Sequence, residues 1–258
     1  NQMVVKAHGE LFKISFNKAF ESTPSMIIGI DSSKQKDGMK YVISSTYNRN
    51  YNKFYTNYKV EKNDNNALIE LSNDALDHFQ KAANNRKPNK IIIYREGGNE
   101  RQVMKLIKTE LPKITEYIEG GYENGYKPKL TIFNVNKKTD LKFFEKRWKD
   151  NYHNVPSGAV IDQEVVSPGC FEFYLQCPDV EKGTGTPVHF LCLYNTNDDL
   201  TANDFEEITL KQSYYYWNWP GPIRIPAALK YAEVANSFSS KNIKGEIIER
   251  LKDSPYFI

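Results

Sequence analysis

The sequence predicts an α/β fold, a mixed β-sheet flanked by helices. Three observations carry this. Between Ser25 and Val60, stretches rich in strong β formers follow one another with the period-two patterning of a strand meander. The chain then alternates helix, strand, helix, strand as far as Val135. The run Ile91 to Tyr94 is unbroken apolar, as in a strand covered on both faces. A meander followed by such alternation gives a mixed sheet with helices packed on it.

Taken in order, the first strand is Ser25 to Ile30, closing on Asp31, followed by strands at Tyr41 to Tyr47 and Phe54 to Val60. Asp64 to Ala83 reads as an amphipathic helix with Leu68, Leu71, Leu76 and Phe79 on one face, and Asn63 or Asp64 is placed to cap it. Lys90 to Tyr94 is the buried strand. Glu100 to Ile118 is a second helix, with Val103, Ile107 and Ile114 near one face and Pro112 interrupting or kinking it. Leu130 to Val135 is the next strand. After a polar connection come Ala159 to Ile161, Phe171 to Leu175 and Val188 to Tyr194. The last third is helical, from Ala202 to about Trp217, from Pro226 to about Ser239, where proline opens a helix, and from Lys244 to Lys252. No Gly-, Pro- or Ser-rich linker divides the chain, so residues 1–258 read as one domain. Asn1 is not an initiator methionine, so the chain reads as a fragment of a longer protein.

Composition narrows the function classes. The 258 residues are 40% hydrophobic and 26% charged, enough for one large core or two modest ones. No apolar run approaches the length that spans a bilayer, and nothing near Asn1 has the zones of a signal peptide. Cys170, Cys177 and Cys192 are odd in number and widely spaced, which argues against a disulfide framework or a zinc site and for reduced thiols in an intracellular protein. His8, His78, His153 and His189 show no metal-ligand spacing. The block Tyr214, Tyr215, Tyr216, Trp217 and Trp219 reads as core packing of a long helix ended by Pro220 and Gly221, ahead of a base-stacking surface.

Net charge is only +3, but between Lys127 and Lys149 eight Lys and Arg face two acids, Asp140 and Glu145. That excess is either a phosphate-binding face or a solvated surface. Three acids stand at element ends: Asp31, Glu96 before Gly97 and Gly98, and Glu233 in the first half of a late helix. Carboxylates on neighbouring strand ends can converge on the divalent metals of phosphodiester hydrolysis, and acids after strands also serve as turn and cap residues.

Seven segments, YREGG, KPKLTIFNVNKK, NVPSGAVID, FEFYL, GTGTPVHFLCLY, IPAALKYAE and PYFI, follow one another in an order that resembles the PIWI domain of Argonaute proteins. YREGG (residues 94–98) with its following helix resembles the family's YRDGV segment, and KPKLTIFNVNKK (127–138) the strand and basic loop after it. NVPSGAVID (154–162), FEFYL (171–175) and GTGTPVHFLCLY (183–194) are similar to the next three stretches. IPAALKYAE (225–233) resembles the late helix motif, in which a Pro is followed by Tyr-Ala-His/Asp, and PYFI (255–258) the aromatic, apolar C-terminus. The match runs from about Met26 to Ile258. It implies a ribonuclease H-like fold that holds a small guide RNA paired to a target RNA in RNA silencing, in the cytoplasm or nucleus.

The resemblance also implies roles. The family's cutting site is an Asp, a glutamate finger, a second Asp and a final His or Asp, working with Mg²⁺ or Mn²⁺. Asp31 matches the first, Glu96 stands at the second Asp and Glu233 at the final position. Glu61, Asp64 and Glu70 lie near the finger position, and none aligns with it. Each Asp-to-Glu change moves the carboxylate by roughly 1 Å, a misplacement that can cost about a hundredfold in rate. The leading expectation is therefore guide-directed binding with weak or no cleavage. Its alternatives are an active metal-dependent endoribonuclease using Asp31, Glu96 and Glu233, and a protein-interaction domain that has lost guide binding. Lys137, Lys138 and Lys142 fall on the family's guide-phosphate positions, and Arg224 and Lys230 where it has polar guide contacts. Near the guide's 5′ end, VANSFSSK (234–241) replaces a family arginine, leaving Lys241 as the nearest cation and the Ile258 carboxylate close by. The family also has surface pockets for Trp side chains of effector proteins.

Overall fold

Two short helices, α1 (Gln2–Lys6) and α2 (Lys18–Glu21), precede a meander of β1 (Ser25–Gln35), β2 (Gly38–Thr46) and β3 (Phe54–Glu61). The computed structural model describes residues 2–7, 9–61, 66–123, 125–243 and 245–258. Helix α3 (Ala67–Ala82) leads to β4 (Lys90–Glu96), followed by α4 (Glu100–Lys105) and α5 (Leu111–Glu116), then β5 (Lys129–Asn136). A separate hairpin, β6 (Phe144–Arg147) and β7 (Asn151–Asn154), precedes β8 (Ala159–Ile161), β9 (Glu172–Gln176) and β10 (Val188–Asn195). Helices α6 (Ala202–Gln212), α7 (Ala227–Asn242) and α8 (Glu249–Lys252) complete the chain. The eight-stranded sheet has the order β3-β2-β1-β4-β5-β10-β9-β8. β1, β4 and β5 run parallel and the other pairs antiparallel. This is the mixed α/β fold that the sequence predicts.

Strand parity divides the interior into two layers. On one face, Met26, Ile28, Ile30, Ile91, Ile93, Leu130 and Ile132 pack against α3, through Leu68, Leu71, Leu76 and Phe79, and against Ile114 and Ile118. On the other, Ile27, Ile92, Tyr94, Phe133 and Val135 pack against α6 and α7. Helix α7 lies directly on β1 because position 29 is glycine. A Cβ there would sit 2.2 Å from the Leu229 amide nitrogen and 2.3 Å from the Ala228 carbonyl carbon. That close approach carries the α7 residues one and two turns further on, Glu233 and Asn236, over the ends of the central strands.

Several sequence expectations need correction. Asp31 does not close β1. The strand continues to Gln35 on β2 alone, because its parallel pairing with β4 stops at Ile30 opposite Arg95. The helix after Glu100 is broken by two wide π turns, Leu106–Glu110 and Tyr117–Gly121, and Pro112 opens the segment between them. Its inward residues are Leu106, Glu110, Ile114 and Ile118, rather than Val103 and Ile107. Glu110 is buried in an ion pair with Arg95 of 2.8 Å, so a charge occupies the apolar face and hides the true register. The capping expectation at Asn63 or Asp64 lies outside the described residues; Asn66 precedes α3 without a side-chain cap. Helix α6 ends at Gln212, a short 3₁₀ turn covers Ser213–Tyr215, and of the last predicted helix only Glu249–Lys252 is helical among the described residues. Tyr215, Tyr216 and Trp217 are buried as core, whereas Trp219 is exposed. The three cysteines are free, and among the described residues no helix is long and apolar enough to cross a membrane.

Candidate functional site

The register of three parallel strands assembles the site. Ile30 pairs with Arg95, which sets Asp31 beside Glu96, and Glu96 pairs with Val135, two residues before Lys137. Asp31, Glu96 and Lys137 share the parity of Ile27, Ile92 and Val135, so all three face the layer covered by α7. Gly97 and Gly98 turn the chain away from β4. A Cβ at Gly97 would meet the Asn134 side-chain oxygen at 1.7 Å, so any other residue there would displace the Asn134 amide. Asn99 and Gln102 then form a reciprocal capping box that starts α4.

The three acids named from the sequence do meet, and a lysine stands among them. The Lys137 ammonium lies 2.7 Å from a Glu96 oxygen and also donates to a Glu233 oxygen, bridging the two carboxylates. Glu96 is within hydrogen-bonding reach of both the Asp31 and the Glu233 carboxyls. Asn236 Nδ2 donates to Asp31 at 2.8 Å, and its Oδ1 accepts from the Ser33 hydroxyl at 2.9 Å. Lys230 stands 3.5 Å from the second Glu233 oxygen. Arg224 anchors the lysine's loop by donating to the Lys137 carbonyl at 2.8 Å and the Thr186 carbonyl at 3.1 Å. Lys142 donates to the Thr186 hydroxyl at 2.6 Å, and Lys138 is exposed.

The charges settle accordingly. Burial pushes Asp31 above the usual carboxylate range, with Glu96 adding to the shift and Asn236 opposing it. Burial also raises Glu96, but the hydrogen bond and charge of Lys137 outweigh it, so Glu96 is held below its ordinary value. Burial holds Glu233 up despite Lys137. Burial works against the Lys137 charge, and Glu233 and Glu96 more than compensate, so the amine is held above its ordinary value. One tethered cation thus offsets part of the charge of the cluster and favours ionised Glu96, while burial disfavours the charges of Asp31 and Glu233.

This arrangement does not fit a divalent metal. Among the described residues no group of three or more His, Cys, Asp or Glu is placed to hold one, and the position between Glu96 and Glu233 is filled by an ammonium. Nor do Glu61 and Glu70 join the cluster. Glu61 pairs with Lys113 at 3.5 Å and Glu70 with Lys59, both outside it, and Asp64 lies outside the described residues. The acid that sequence reasoning missed, Glu110, is committed to Arg95 on the opposite face of the sheet. Beside the cluster a cavity of about 660 Å³ is lined by Asp31, Glu96, Gly97, Gln102, Lys137 and Lys138, among others. At the C-terminus, Tyr256 packs on Phe238 and Phe257 on Tyr231, which ties Ile258 against α7. Lys241 lies exposed in the last turn of that helix.

Comparison with known proteins agrees with this architecture. A Piwi-like protein Ago3 of Bombyx mori is 29% identical over the whole chain, which covers 28% of that protein, and Piwi-like protein 1 of Danio rerio is 28% identical, with 30% of its length covered. The chain therefore spans less than a third of the length of these curated relatives. Among solved structures, the C-terminal lobe of a budding yeast Argonaute superposes on the whole chain with a TM-score of 0.83 at 24% identity, 59% of that lobe being covered. Drosophila Piwi superposes on 92% of the chain with a TM-score of 0.77 at 22% identity, and 32% of it is covered. The sheet is accordingly the ribonuclease H-like sheet of Argonaute PIWI lobes. The Piwi domain family matches residues 1–244, and the chain belongs to that family.

Proposed function

We propose that the chain holds a small guide RNA for pairing with a target RNA in RNA silencing, inside the cell, with weak or no target cleavage. The solved neighbours include an Argonaute of Kluyveromyces polysporus with a guide RNA, which supports the guide-binding part. The single observation that carries the cleavage part is the Lys137 ammonium lodged between Glu96 and Glu233. Mg²⁺ prefers hard oxygen ligands in near-ideal octahedral geometry, and a cation already bound to two of three carboxylates opposes its entry. Lys138, Lys142 and Lys230 border the same region, and phosphate contacts from such point charges position a strand without reading its sequence. Arg224 acts by fixing the loop that carries Lys137, while Lys241 and the Ile258 carboxylate flank the guide's 5′ end.

The convergence of Asp31, Glu96 and Glu233 favours one alternative, a metal-dependent endoribonuclease whose lysine withdraws when a guide and metal bind. Cleavage of a labelled RNA target by the guide-loaded protein, in Mg²⁺ and in Mn²⁺, separates the two. The proposed reading expects guide-dependent binding with no cut in either metal. A single cut opposite the guide, abolished by Asp31→Ala, would establish the alternative. As part of the same proposal, Trp-bearing effector proteins would dock at the second cavity, about 490 Å³, where Pro24, Tyr47 and Phe79 give apolar walls beside Arg49 and Arg86.

A further inference from the structure

The β6–β7 hairpin stands apart from the main sheet, and β6 is exposed along its whole length. Its base is fixed. The Phe143 ring packs edge-on against Tyr174, with centroids 5.5 Å apart. Asn154 Nδ2 donates to the Gly183 carbonyl at 2.9 Å and the Val180 carbonyl at 3.2 Å, and its Oδ1 accepts from the Gly185 amide at 2.9 Å. Its outer part carries large rings in water: Trp148 is 85% exposed, Tyr152 60% and Phe144 48%. Trp148 sits at the turn, where Lys149 takes a left-handed backbone conformation (φ 61°) that projects the tip.

The register sorts the side chains. Phe144 lies opposite Asn154 and Lys146 opposite Tyr152, so Phe144, Lys146 and Tyr152 share one face. The other face carries Glu145, Arg147, Asn151 and His153, with Arg147 donating to Glu145 at 2.9 Å. Rings interleaved with lysines make a surface for stacked bases and phosphates. Exposed rings also occur at protein interfaces, but the centres of those are depleted of lysine, so the lysines beside these rings favour nucleic acid. Seven steps of chain join Lys137 to Phe144, so the base of the hairpin lies within at most about 25 Å of the acid cluster.

We propose that this hairpin is a stacking grip for single-stranded RNA, in which unpaired bases lie on Trp148, Tyr152 and Phe144 while Lys149 meets a phosphate. The proposal rests on the guide-binding reading above. The same chemistry serves an unpaired stretch of guide or of target.

The test measures binding of a fluorescent oligouridine, and of the same strand annealed to its complement, to the protein and to two variants, Trp148→Ala/Tyr152→Ala and Lys149→Glu. All three positions are on the exposed hairpin, away from either core. Each ring removed is expected to weaken single-strand binding by about fivefold or more, with annealed RNA changed by less than about twofold. Lys149→Glu is expected to lower the salt slope of binding by about one. Repeating the titration first with guide, then with target added to the guide complex, identifies the strand by the step at which the double variant fails. Unchanged single-strand affinity in the double variant overturns the hairpin proposal and leaves guide binding standing. An equal loss for both forms of RNA overturns the stacking assignment. Wild-type protein that binds neither form overturns both the proposal and the reading it rests on.

Discussion

Replacing Lys137 by methionine keeps the length and apolar stem of the side chain and removes only the cation that bridges Glu96 and Glu233. The side chains of Lys137, Glu96 and Glu233 are 26%, 30% and 14% exposed, so the effect falls between two limits. An exposed ion pair contributes at most about 1 kcal/mol, and a buried charge left without its partner costs roughly 3–5 kcal/mol. A loss of about 2 kcal/mol near neutral pH is expected, which for a domain of this size lowers Tm by about 4–8 °C. The pH dependence follows from the shifts. Lys137 holds Glu96 below its reference value of 4.5, so that contribution is present above 4.5 and is lost as pH falls through the depressed folded value. Without Lys137, Glu96 loses the partner that outweighs its burial, and Glu233 loses one that opposes its burial and the Glu96 charge, so both values rise and folding weakens as pH rises through them. The gap between wild type and variant should therefore be largest near neutrality and narrow at and below the carboxylate range. The variant also vacates the position between Glu96 and Glu233, so Mn²⁺ is expected to gain a two-carboxylate foothold there that wild type denies it. At a free concentration about one hundred times Kd it would restore about 2.7 kcal/mol, while wild-type Tm stays put. Thermal melts at several pH values, with and without Mn²⁺, check both effects. A variant as stable as wild type at neutral pH, or a wild-type Tm that rises with Mn²⁺ as much as the variant's, would refute the reasoning.

Arg95→Met should cost roughly 3–5 kcal/mol because it strands the Glu110 carboxylate inside, and adding Glu110→Leu should recover much of that loss in urea denaturation. A double variant no more stable than the single one would show that the pair is not what couples α4 and α5 to the sheet. Gly29→Ala places a methyl against the α7 backbone, which cannot yield as a side-chain end can, and should cost about 2–3 kcal/mol. Near-wild-type stability would mean that α7 stands further from β1.

Much of the fold was legible because it rests on local signals. The Ile91 to Tyr94 run and the apolar starts of β1 and β5 mark the central strands, and Leu68, Leu71, Leu76 and Phe79 mark the buried face of α3. The failures share a cause: the period that identifies an element was missing or misleading there. The β6–β7 hairpin has exposed residues on both faces, so no alternation records it. In the region from Glu100 to Gly121, a paired glutamate on the core face and two π turns shift the period, and the inward register passes to Leu106, Glu110, Ile114 and Ile118. The extension of β1 past Asp31 depends on β2, a partner that strand propensity in β1 alone does not reveal.

The site was half legible for a reason that sheet geometry makes clear. Asp31 and Glu96 each stand at the end of an apolar run within their strands, and two parallel neighbours in register place such residues side by side. Glu233 joins them only because Gly29 lets α7 settle on β1, a packing fact that no spacing encodes. Lys137 marks the limit of sequence reading. Its position in a basic loop points to phosphate, whereas parity along β5 points it to the α7 face, where the carboxylates are, and Arg224 holds its backbone there. The two readings are compatible only if a phosphate can draw the lysine away from Glu96 and Glu233. A strand brings one negative charge with each of several successive phosphates, and their summed field is what could do so, leaving the acids short of a cation at the moment the strand arrives. Whether a metal then enters distinguishes a vestigial nuclease from one whose metal site opens with its guide, and the Mn²⁺ response of guide-loaded wild type set against that of Lys137→Met reads this directly. A vestigial site leaves the loaded wild type silent, while a gated one gives it the variant's response.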